Sequence, residues 1–264
     1  MTYQKSIVAF LDILGTKDNQ SFESKHKVHR VFHESMKEFQ ARDRLEADYY
    51  RKAFSFSDCA YIFHGFREGV DDSHHAENLL IQAALFNTTL TTIRLLNEGY
   101  LIRGGIAYGD AYHDDLSFFG PAVEDAYILE SKKAVTPRIL ISESLGERAK
   151  IFSDNAHQKE LSEKNPNFKL LPKRSYIPEL IQKNGAAYYL NPFYIIEMEC
   201  QLKIGQYNFS HDELTKSVIA NIEAQIHHYP WESPVRPKLE WMREYAINSK
   251  CSLEQPNSSF AFSR

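Results

Sequence analysis

Apolar and polar positions along the first forty residues predict a buried strand followed by an amphipathic helix. Residues 6–13, "SIVAFLDI", form a continuous apolar run that only Asp12 interrupts, and Gly15 follows it. Such a run, bounded by a turn residue, is typical of a strand buried on both faces. Residues 24–40 place apolar side chains at helical spacing, which predicts a helix with one buried stripe.

The next sixty residues predict a strand pair and a second helix. Residues 51–64 are rich in aromatic side chains and read as two short strands joined near residues 57–58. An apolar stripe at helical spacing follows. Asp72 or Ser73 is suited to cap the start of this helix, and Gly99 is suited to end it. The pattern so far is strand, helix, two strands, helix.

Three further elements complete the pattern. Residues 101–109, "LIRGGIAYG", predict a strand in which two adjacent glycines allow close backbone packing. A hairpin then leads into a helix that starts at Pro121, a residue favoured in the first turn. Residues 138–142 predict another strand. The order predicts an α+β fold with a ferredoxin-like, split βαβ core and additions.

The remaining chain predicts C-terminal helical additions to one domain that spans residues 1–250. We expect a polar excursion at 151–188 and a late strand at 188–199. Two helices at 211–229 and 234–248 and a loose tail at 251–264 should follow. Within this part, residues 229–241 are rich in proline and aromatic side chains and predict a strap that packs over the domain.

Composition narrows the class of protein. Hydrophobic residues make up 43% and charged residues 25% of the chain, and the net charge of −4 gives no basic field for nucleic-acid binding. No apolar run approaches the roughly 18 residues that cross a bilayer, and the N-terminus lacks the features of a signal peptide. The three cysteines form no CxxC pair. We therefore expect a cytoplasmic protein without disulfides, a zinc site or a membrane anchor.

Two aspartates interrupt apolar runs and form the candidate site. Asp12 ends the first predicted strand, and Asp58 lies at the turn between the second and third. In a split βαβ sheet those strands are neighbours, so both carboxylates can converge at one edge and bind Mg²⁺ or Mn²⁺. The turn after Asp12 offers backbone N–H groups to a triphosphate. Each aspartate alone is also typical of a turn residue or helix cap.

Four segments resemble the motifs of class III nucleotide cyclases. They are "FLDILG", "FSDCAYIF", "LIRGGIAYGD" and "FFGPAVEDAYILE", in that order within residues 5–142. Together with "PRILIS", the set looks most like the bacterial pyrimidine cyclases of anti-phage defence, the Pycsar systems. The resemblance implies a class III cyclase catalytic domain that converts UTP or CTP to the 3′,5′-cyclic nucleotide, cUMP or cCMP, and pyrophosphate.

The resemblance also implies a site and partners. Two Mg²⁺ or Mn²⁺ ions per active site are expected on Asp12, Asp58 and the Ile13 carbonyl, with backbone amides of Leu14, Gly15 and Thr16 contacting the phosphates. It implies a homodimer with active sites at the interface. A separately encoded effector would bind the cyclic product.

The base-reading position departs from purine-specific cyclases. Those enzymes carry a lysine four residues before the second metal aspartate, and here that residue is Phe54. Phe54, with Tyr50 nearby, would narrow the pocket for a single ring. The alternative is that Phe54 is one of the alternating core residues of a strand.

The transition-state arginine of the family's helix motif is absent, because Ile128 occupies its place. Arg103 and Arg138 are the replacement candidates, since a guanidinium matches the oxygens of a phosphate. Arg103 is equally suited to a salt bridge at the strand edge.

Two rival functions share parts of this pattern. A cyclase-like protein without catalysis, acting as a nucleotide sensor or regulatory partner, is favoured by the missing arginine. A diguanylate cyclase shares the sheet order, but "FSFSDCAYIF" lacks its GG[DE]EF signature.

Overall fold

The computed structural model describes residues 2–15, 21–42, 48–71, 76–153, 180–193, 202–204, 207–209 and 211–251. Its strands are β1 (Gln4–Leu14), β2 (Tyr49–Phe56), β3 (Cys59–Phe66), β4 (Leu101–His113), β5 (Phe118–Phe119), β6 (Ile139–Ile141), β7 (Ile181–Asn184), β8 (Ala187–Leu190), β9 (Leu202–Ile204) and β10 (Tyr207–Phe209). Its helices are α1 (Phe22–Arg42), α2 (Glu77–Asn97), α3 (Pro121–Ile128), α4 (Glu143–Ser153), α5 (His211–His228) and α6 (Arg236–Cys251). A wider helical turn, Leu129–Lys133, continues α3.

One mixed sheet organises the fold, in the strand order β2-β3-β1-β4-β6-β8-β7, and β5 pairs with the end of β4. β1 lies between β3 and β4 and is antiparallel to both. β2, β3, β1 and β4, connected through α1 and α2, have the order of a split βαβ unit. The predicted α+β fold with a ferredoxin-like core is therefore confirmed. β6 extends this core parallel to β4.

Alternate residues of β1 belong to two different clusters. Ile7, Ala9 and Leu11 pack into the larger cluster, to which α1, α2, α5 and α6 contribute. Val8 and Phe10 pack into a smaller cluster with residues of α3. Because the strand has period two, Asp12 shares the α3 face of the sheet with Phe10. Burial on both faces explains why the sequence of β1 is a nearly continuous apolar run.

The adjacent glycines of β4 allow the close packing that the sequence predicted. A Cβ atom at Gly105 would lie 2.2 Å from the carbonyl oxygen of Ala126 in α3, and one at Gly104 would lie 2.6 Å from that of Phe10. α3 therefore lies directly on the backbone of β4. This contact carries the wider turn after α3 to the end of the sheet where Asp12 lies.

Helix α2 crosses the interior of the domain. It is long and apolar enough to cross a membrane by length and composition, but 78% of its apolar window is buried inside the protein. Its buried threonines donate their hydroxyls to carbonyls one turn earlier, at 2.8–2.9 Å: Thr88, Thr89, Thr91 and Thr92. This bonding satisfies the hydroxyls within the core. The helix is thus the central helix of the fold.

The residues at the ends of α2 can be compared with the predicted caps. Ala76 stands at the N-cap position and makes no side-chain cap bond, while Asp72 and Ser73 lie outside the described residues. Gly99 follows the helix with a φ of +85°, in the left-handed region where glycine is favoured, so the predicted stop is confirmed.

The C-terminal half adds elements that the sequence pattern did not predict. α4 was missed, and the hairpin of β7 and β8 continues the sheet within and just beyond the predicted polar excursion. Residues 154–179 and 194–201, and with them most of that excursion and the later part of the predicted strand at 188–199, lie outside the described residues. The two C-terminal helices are confirmed within a few residues. The predicted tail after Cys251 also lies outside the described residues.

Candidate functional site

Asp12 and Asp58 lie at the same end of two adjacent strands. Asp12 is opposite Cys59 of β3 and Arg103 of β4 in the sheet register. Asp58 occupies the two-residue turn between β2 and β3, and its carbonyl oxygen accepts a hydrogen bond from the Ile13 N–H at 3.0 Å. The turn that carries Asp58 is therefore joined to the residue after Asp12.

The negative charges of Asp12 and Asp58 act on each other at this end of the sheet. The pKa of Asp12 is raised to about 6, first by burial and then by the negative charges of Glu130 and Asp58. The positive charges of Arg103 and Lys238 oppose this rise. Asp12 and Asp58 thus lie within electrostatic range of each other, as the converging arrangement requires.

The oxygen donors at this place fit a hard divalent cation. In a strand the N–H and C=O groups of one residue point to the same side, so the Ile13 carbonyl is directed to the side of Asp58. A cation between the carboxylates would relieve the repulsion that raises the pKa of Asp12. Within the described ranges no group of three or more His, Cys, Asp or Glu side chains could hold a metal. A cation here would therefore depend on two carboxylates, a carbonyl, water and substrate oxygens, a set that suits Mg²⁺ or Mn²⁺.

The turn after Asp12 is braced by the C-terminal strap. Gly15 has a φ of +81°, which favours glycine. A Cβ atom at Gly15 would lie 3.5 Å from the Tyr229 hydroxyl and 3.8 Å from Cγ1 of Val235. Leu14 packs at the edge of the main core, and Thr16 lies outside the described residues. The predicted phosphate-binding turn thus rests on residues from the far end of the chain.

Arg103 joins the site but is engaged by a carboxylate that the sequence analysis missed. Its Nε donates to Oε1 of Glu130 at 2.5 Å, and its Nη1 donates to the Ala134 carbonyl at 3.3 Å. Its Nη2 lies 4.0 Å from Oδ2 of Asp12. The Glu130 side chain is 4% exposed, so Arg103 offsets the charge of a buried acid. The bond to Glu130 is the salt bridge that the sequence left open as the alternative for Arg103.

Glu130 gave no sequence signal because it lies in the wider turn after α3. Only the packing of that turn on β4 brings its carboxylate to Arg103. The same cluster surrounds Cys59, whose thiol pKa rises to about 12 because of burial and the neighbouring carboxylates. That thiol therefore stays protonated at neutral pH.

Phe54 lies on the face of Asp12 but inside an aromatic cluster. It pairs with Tyr61, which pairs with Phe10, so it is two strands and two residues from Asp12, about 12 Å away. Its ring contacts those of Phe63, Phe118 and His113 at centroid distances of 5.0–6.0 Å. This packing matches the alternative in which Phe54 is a strand core residue, and its contact with a base stays a prediction.

Tyr50 and Arg138 are not brought to Asp12. Tyr50 lies opposite Gly65, six residues along the strands from Asp12 or about 20 Å, and its hydroxyl bonds Nε2 of His113 at 2.7 Å. Arg138 stands over the ring of Tyr189, with its guanidinium carbon 5.5 Å from the centroid. It lines a small cavity with Ile102 and Met242 from the main core, on the face opposite Asp12.

A cavity of about 530 Å³ lies beside the Gly15 turn on the helical face of the sheet. Gly15, Tyr100 and Tyr229 line it together with polar side chains of α5. One carboxylate, Glu98, lines it, and that group forms an ion pair with the Lys27 ammonium.

No protein-family model matches the chain, and no curated protein matches it. Among solved structures the chain is similar to an adenylate/guanylate cyclase/hydrolase from Silicibacter pomeroyi, with 18% sequence identity and a TM-score of 0.35. The similarity covers 57% of this chain and 82% of that one. A likeness at this level assigns neither a substrate nor a site residue.

Proposed function

We propose that the chain is a nucleotide cyclase that converts UTP or CTP to cUMP or cCMP and pyrophosphate. The observation that carries the proposal is the convergence of Asp12 and Asp58 at one end of β1 and β3, where their mutual repulsion helps to raise the pKa of Asp12. The motifs that resemble class III cyclases support it, since both aspartates stand in the expected places.

The residues at this end of the sheet have different roles in the proposed reaction. Mg²⁺ or Mn²⁺, two per active site, bound by Asp12, Asp58 and the Ile13 carbonyl would supply Lewis acidity toward the ribose 3′-hydroxyl and the triphosphate. The amides at Leu14 and Gly15 orient the phosphates, and the 3′-oxygen attacks the α-phosphorus in line with the departing pyrophosphate. Arg103 keeps a positive charge beside Asp12, in place of the absent family arginine.

Base choice and biological role rest on the sequence motifs. Phe54 replaces the lysine that reads a purine, which favours a single-ring base. The resemblance to pyrimidine cyclases supports a second-messenger role in anti-phage defence, with a separately encoded effector as the reader of the product. The triphosphate substrate and the free thiol of Cys59 suit a cytoplasmic enzyme.

A homodimer is proposed through the α3 face of the sheet. This face and its rim expose several large apolar side chains: Tyr3, Phe56, Leu116, Phe119 and Tyr127. Phe119 is 51% exposed and Phe56 is 57% exposed, at opposite margins of the smaller cluster. Clustered exposed apolar groups mark interaction surfaces. A dimer on this face would place the partner close to Asp12.

Replacing Phe119 by Glu is expected to convert the dimer to a monomer and to remove cyclase activity, because a charge would be desolvated within the interface without a partner. Light scattering on the wild type and the variant measures the mass. Val135→Glu is the control, since Val135 is 77% exposed outside this rim. An F119E protein with wild-type mass would contradict the proposed interface.

A cyclase-like nucleotide sensor without catalysis is the second candidate. Ile128 stands where the family has its arginine, and Arg103 is held by Glu130. A sensor would bind a nucleotide triphosphate at Asp12 and Asp58 and leave it unchanged.

Incubating the protein with each of the four NTPs and Mn²⁺ tests the proposal. We expect cyclic product and pyrophosphate, detected by mass spectrometry, from UTP or CTP and from neither purine. Product from ATP or GTP alone would contradict the base assignment. Binding of a pyrimidine triphosphate without turnover would favour the sensor.

A further inference from the structure

The C-terminal helix α6 brings a lysine to the proposed phosphate-binding turn. Val235, just before α6, lies beside Gly15, because a Cβ atom at Gly15 would be 3.8 Å from its Cγ1. The N–H of Lys238 donates to the Val235 carbonyl at 3.0 Å. Residues three apart share a helix face. Lys238 therefore stands one turn beyond Val235, on the face of α6 that lies toward Gly15 and the end of β1.

The charge of Lys238 reaches the carboxylate cluster. Lys238 is one of the two positive charges that oppose the rise in the pKa of Asp12, and Arg103 is the other. Within the described part of the chain, no carboxylate forms an ion pair with the Lys238 ammonium. Its side chain is partly buried, so its field is less screened than that of a fully exposed lysine.

The two neighbouring guanidinium groups, of Arg103 and Arg236, are already hydrogen-bonded within the protein. Arg103 is bonded to Glu130 and to the Ala134 carbonyl. Arg236 is bonded to Glu240, to the Ile226 carbonyl of α5 and to the Tyr229 carbonyl of the strap, and its guanidinium carbon stands 3.7 Å over the ring of Trp231. Arg236 thereby fixes the start of α6, and with it the position of Lys238. Among these three cations, Lys238 is the one left for an anionic ligand.

We propose that Lys238 binds the triphosphate of the substrate, at the phosphoryl groups that leave as pyrophosphate. The inference rests on the proposed function and assigns this contact to the C-terminal addition, outside the four sequence motifs. A lysine acts on phosphate as a compact point charge. It attracts the triphosphate to an end of the sheet where Asp12, Asp58 and Glu130 are all negative, and it offsets charge that develops on the leaving group.

Binding of inorganic tripolyphosphate in Mg²⁺, followed by calorimetry, tests the proposal without requiring turnover. We expect Lys238→Gln to weaken binding at least tenfold and Lys238→Arg to stay within about threefold of wild type, since arginine keeps the charge. Lys216→Gln, at an exposed position of α5, is the control and should bind like wild type. Raising the salt concentration should reduce the difference between wild type and K238Q.

Kinetics with the accepted NTP provide the second measurement. We expect K238Q to raise KM about tenfold and to lower kcat less than that, with an unchanged melting temperature. Equal losses in K238Q and K238R, together with a lower melting temperature, would show a structural role and overturn the inference. Unchanged tripolyphosphate binding in K238Q would overturn it as well. A wild type that binds tripolyphosphate through Lys238 but forms no cyclic product would instead refute the proposed function alone.

Discussion

Replacing Asp12 by Asn is expected to stabilise the metal-free protein at pH 7.5 by up to about 3 kcal/mol while abolishing its cyclase activity. The pKa of Asp12 is raised from 3.8 to about 6 in the folded protein, because the carboxylate is buried and faces Glu130 and Asp58. Each pKa unit corresponds to about 1.4 kcal/mol of differential interaction. The ionised carboxylate thus opposes folding when no cation is bound.

The sign of the pH dependence follows from the raised pKa. Well below pH 3.8 Asp12 is protonated in both the folded and the unfolded state and carries no penalty. As the pH rises from about 4 through about 6, the unfolded chain loses this proton before the folded one, so stability falls. D12N removes this loss. The gain in stability of D12N over wild type should therefore be small at pH 3.5 and complete at pH 7.5.

Urea unfolding of wild type and D12N in EDTA measures this difference. Asp125→Asn, at an exposed position of α3, is the matched control and should leave stability unchanged. Millimolar Mn²⁺ should raise the melting temperature of wild type but not of D12N, because ligand binding stabilises the folded state that binds it. A D12N protein less stable than wild type at pH 7.5 would contradict the repulsive cluster.

Activity should fall at least about 10³-fold in D12N and in Asp58→Ala, because each change removes a carboxylate from the proposed cation site. Turnover that survives Asp58→Ala would rule out this site. A substitution that raises stability and removes activity is typical of a functional group that the fold holds close to groups of the same charge.

His64→Leu is expected to remove an acid-dependent loss of stability. His64 lies on β3 opposite Ile7 and Arg51, has no exposed surface, and neither ring nitrogen has a hydrogen-bond partner in the described structure. Burial, with a smaller contribution from the charge of Arg51, lowers its pKa to about 3. The folded protein therefore holds a neutral imidazole.

Because the folded pKa of His64 lies below the unfolded value of 6.5, the unfolded state binds the proton first as the pH falls. Between pH 7.5 and pH 5 this linkage should cost wild type about 2 kcal/mol, and more at lower pH. Leucine has no proton to bind and leaves no polar atom unpaired. H64L should also gain about 1 kcal/mol at pH 7.5.

Urea unfolding at pH 7.5 and pH 5 compares the two proteins. The decrease in the free energy of unfolding from pH 7.5 to pH 5 should be about 2 kcal/mol smaller in H64L than in wild type. His33→Leu, whose histidine is exposed on α1, controls for general effects of losing an imidazole and should change the acid loss much less. An equal decrease in the free energy of unfolding in wild type and H64L would show that His64 is protonated, or hydrated, in the folded state.

The local pattern of the chain was enough to predict most of the core. The apolar run at 6–13, the helical stripe at 24–40 and the strand pair joined at Asp58 all exist, since their periods are set by burial on one or two faces. α4 was missed because its apolar positions are few, with Leu145 and Ala149 as its fully buried side chains. Its helix depends on packing against the sheet more than on a local signal.

The sequence by itself determined the split βαβ order and placed Asp12 and Asp58 at the same end of neighbouring strands, because strand adjacency follows from the order of elements and both aspartates interrupt otherwise apolar runs. Tertiary structure alone decided which groups surround them. Glu130 comes to Arg103 through the packing of α3 on Gly105, and Lys238 comes to the Gly15 turn through α6, more than 200 residues away in the chain. Tyr50 and Arg138, which sequence reasoning placed at the site, lie far along the strands or on the other face. The periodicity of apolar residues predicts which face of an element is buried, but it does not predict which charged residue from a distant part of the chain lies against that face.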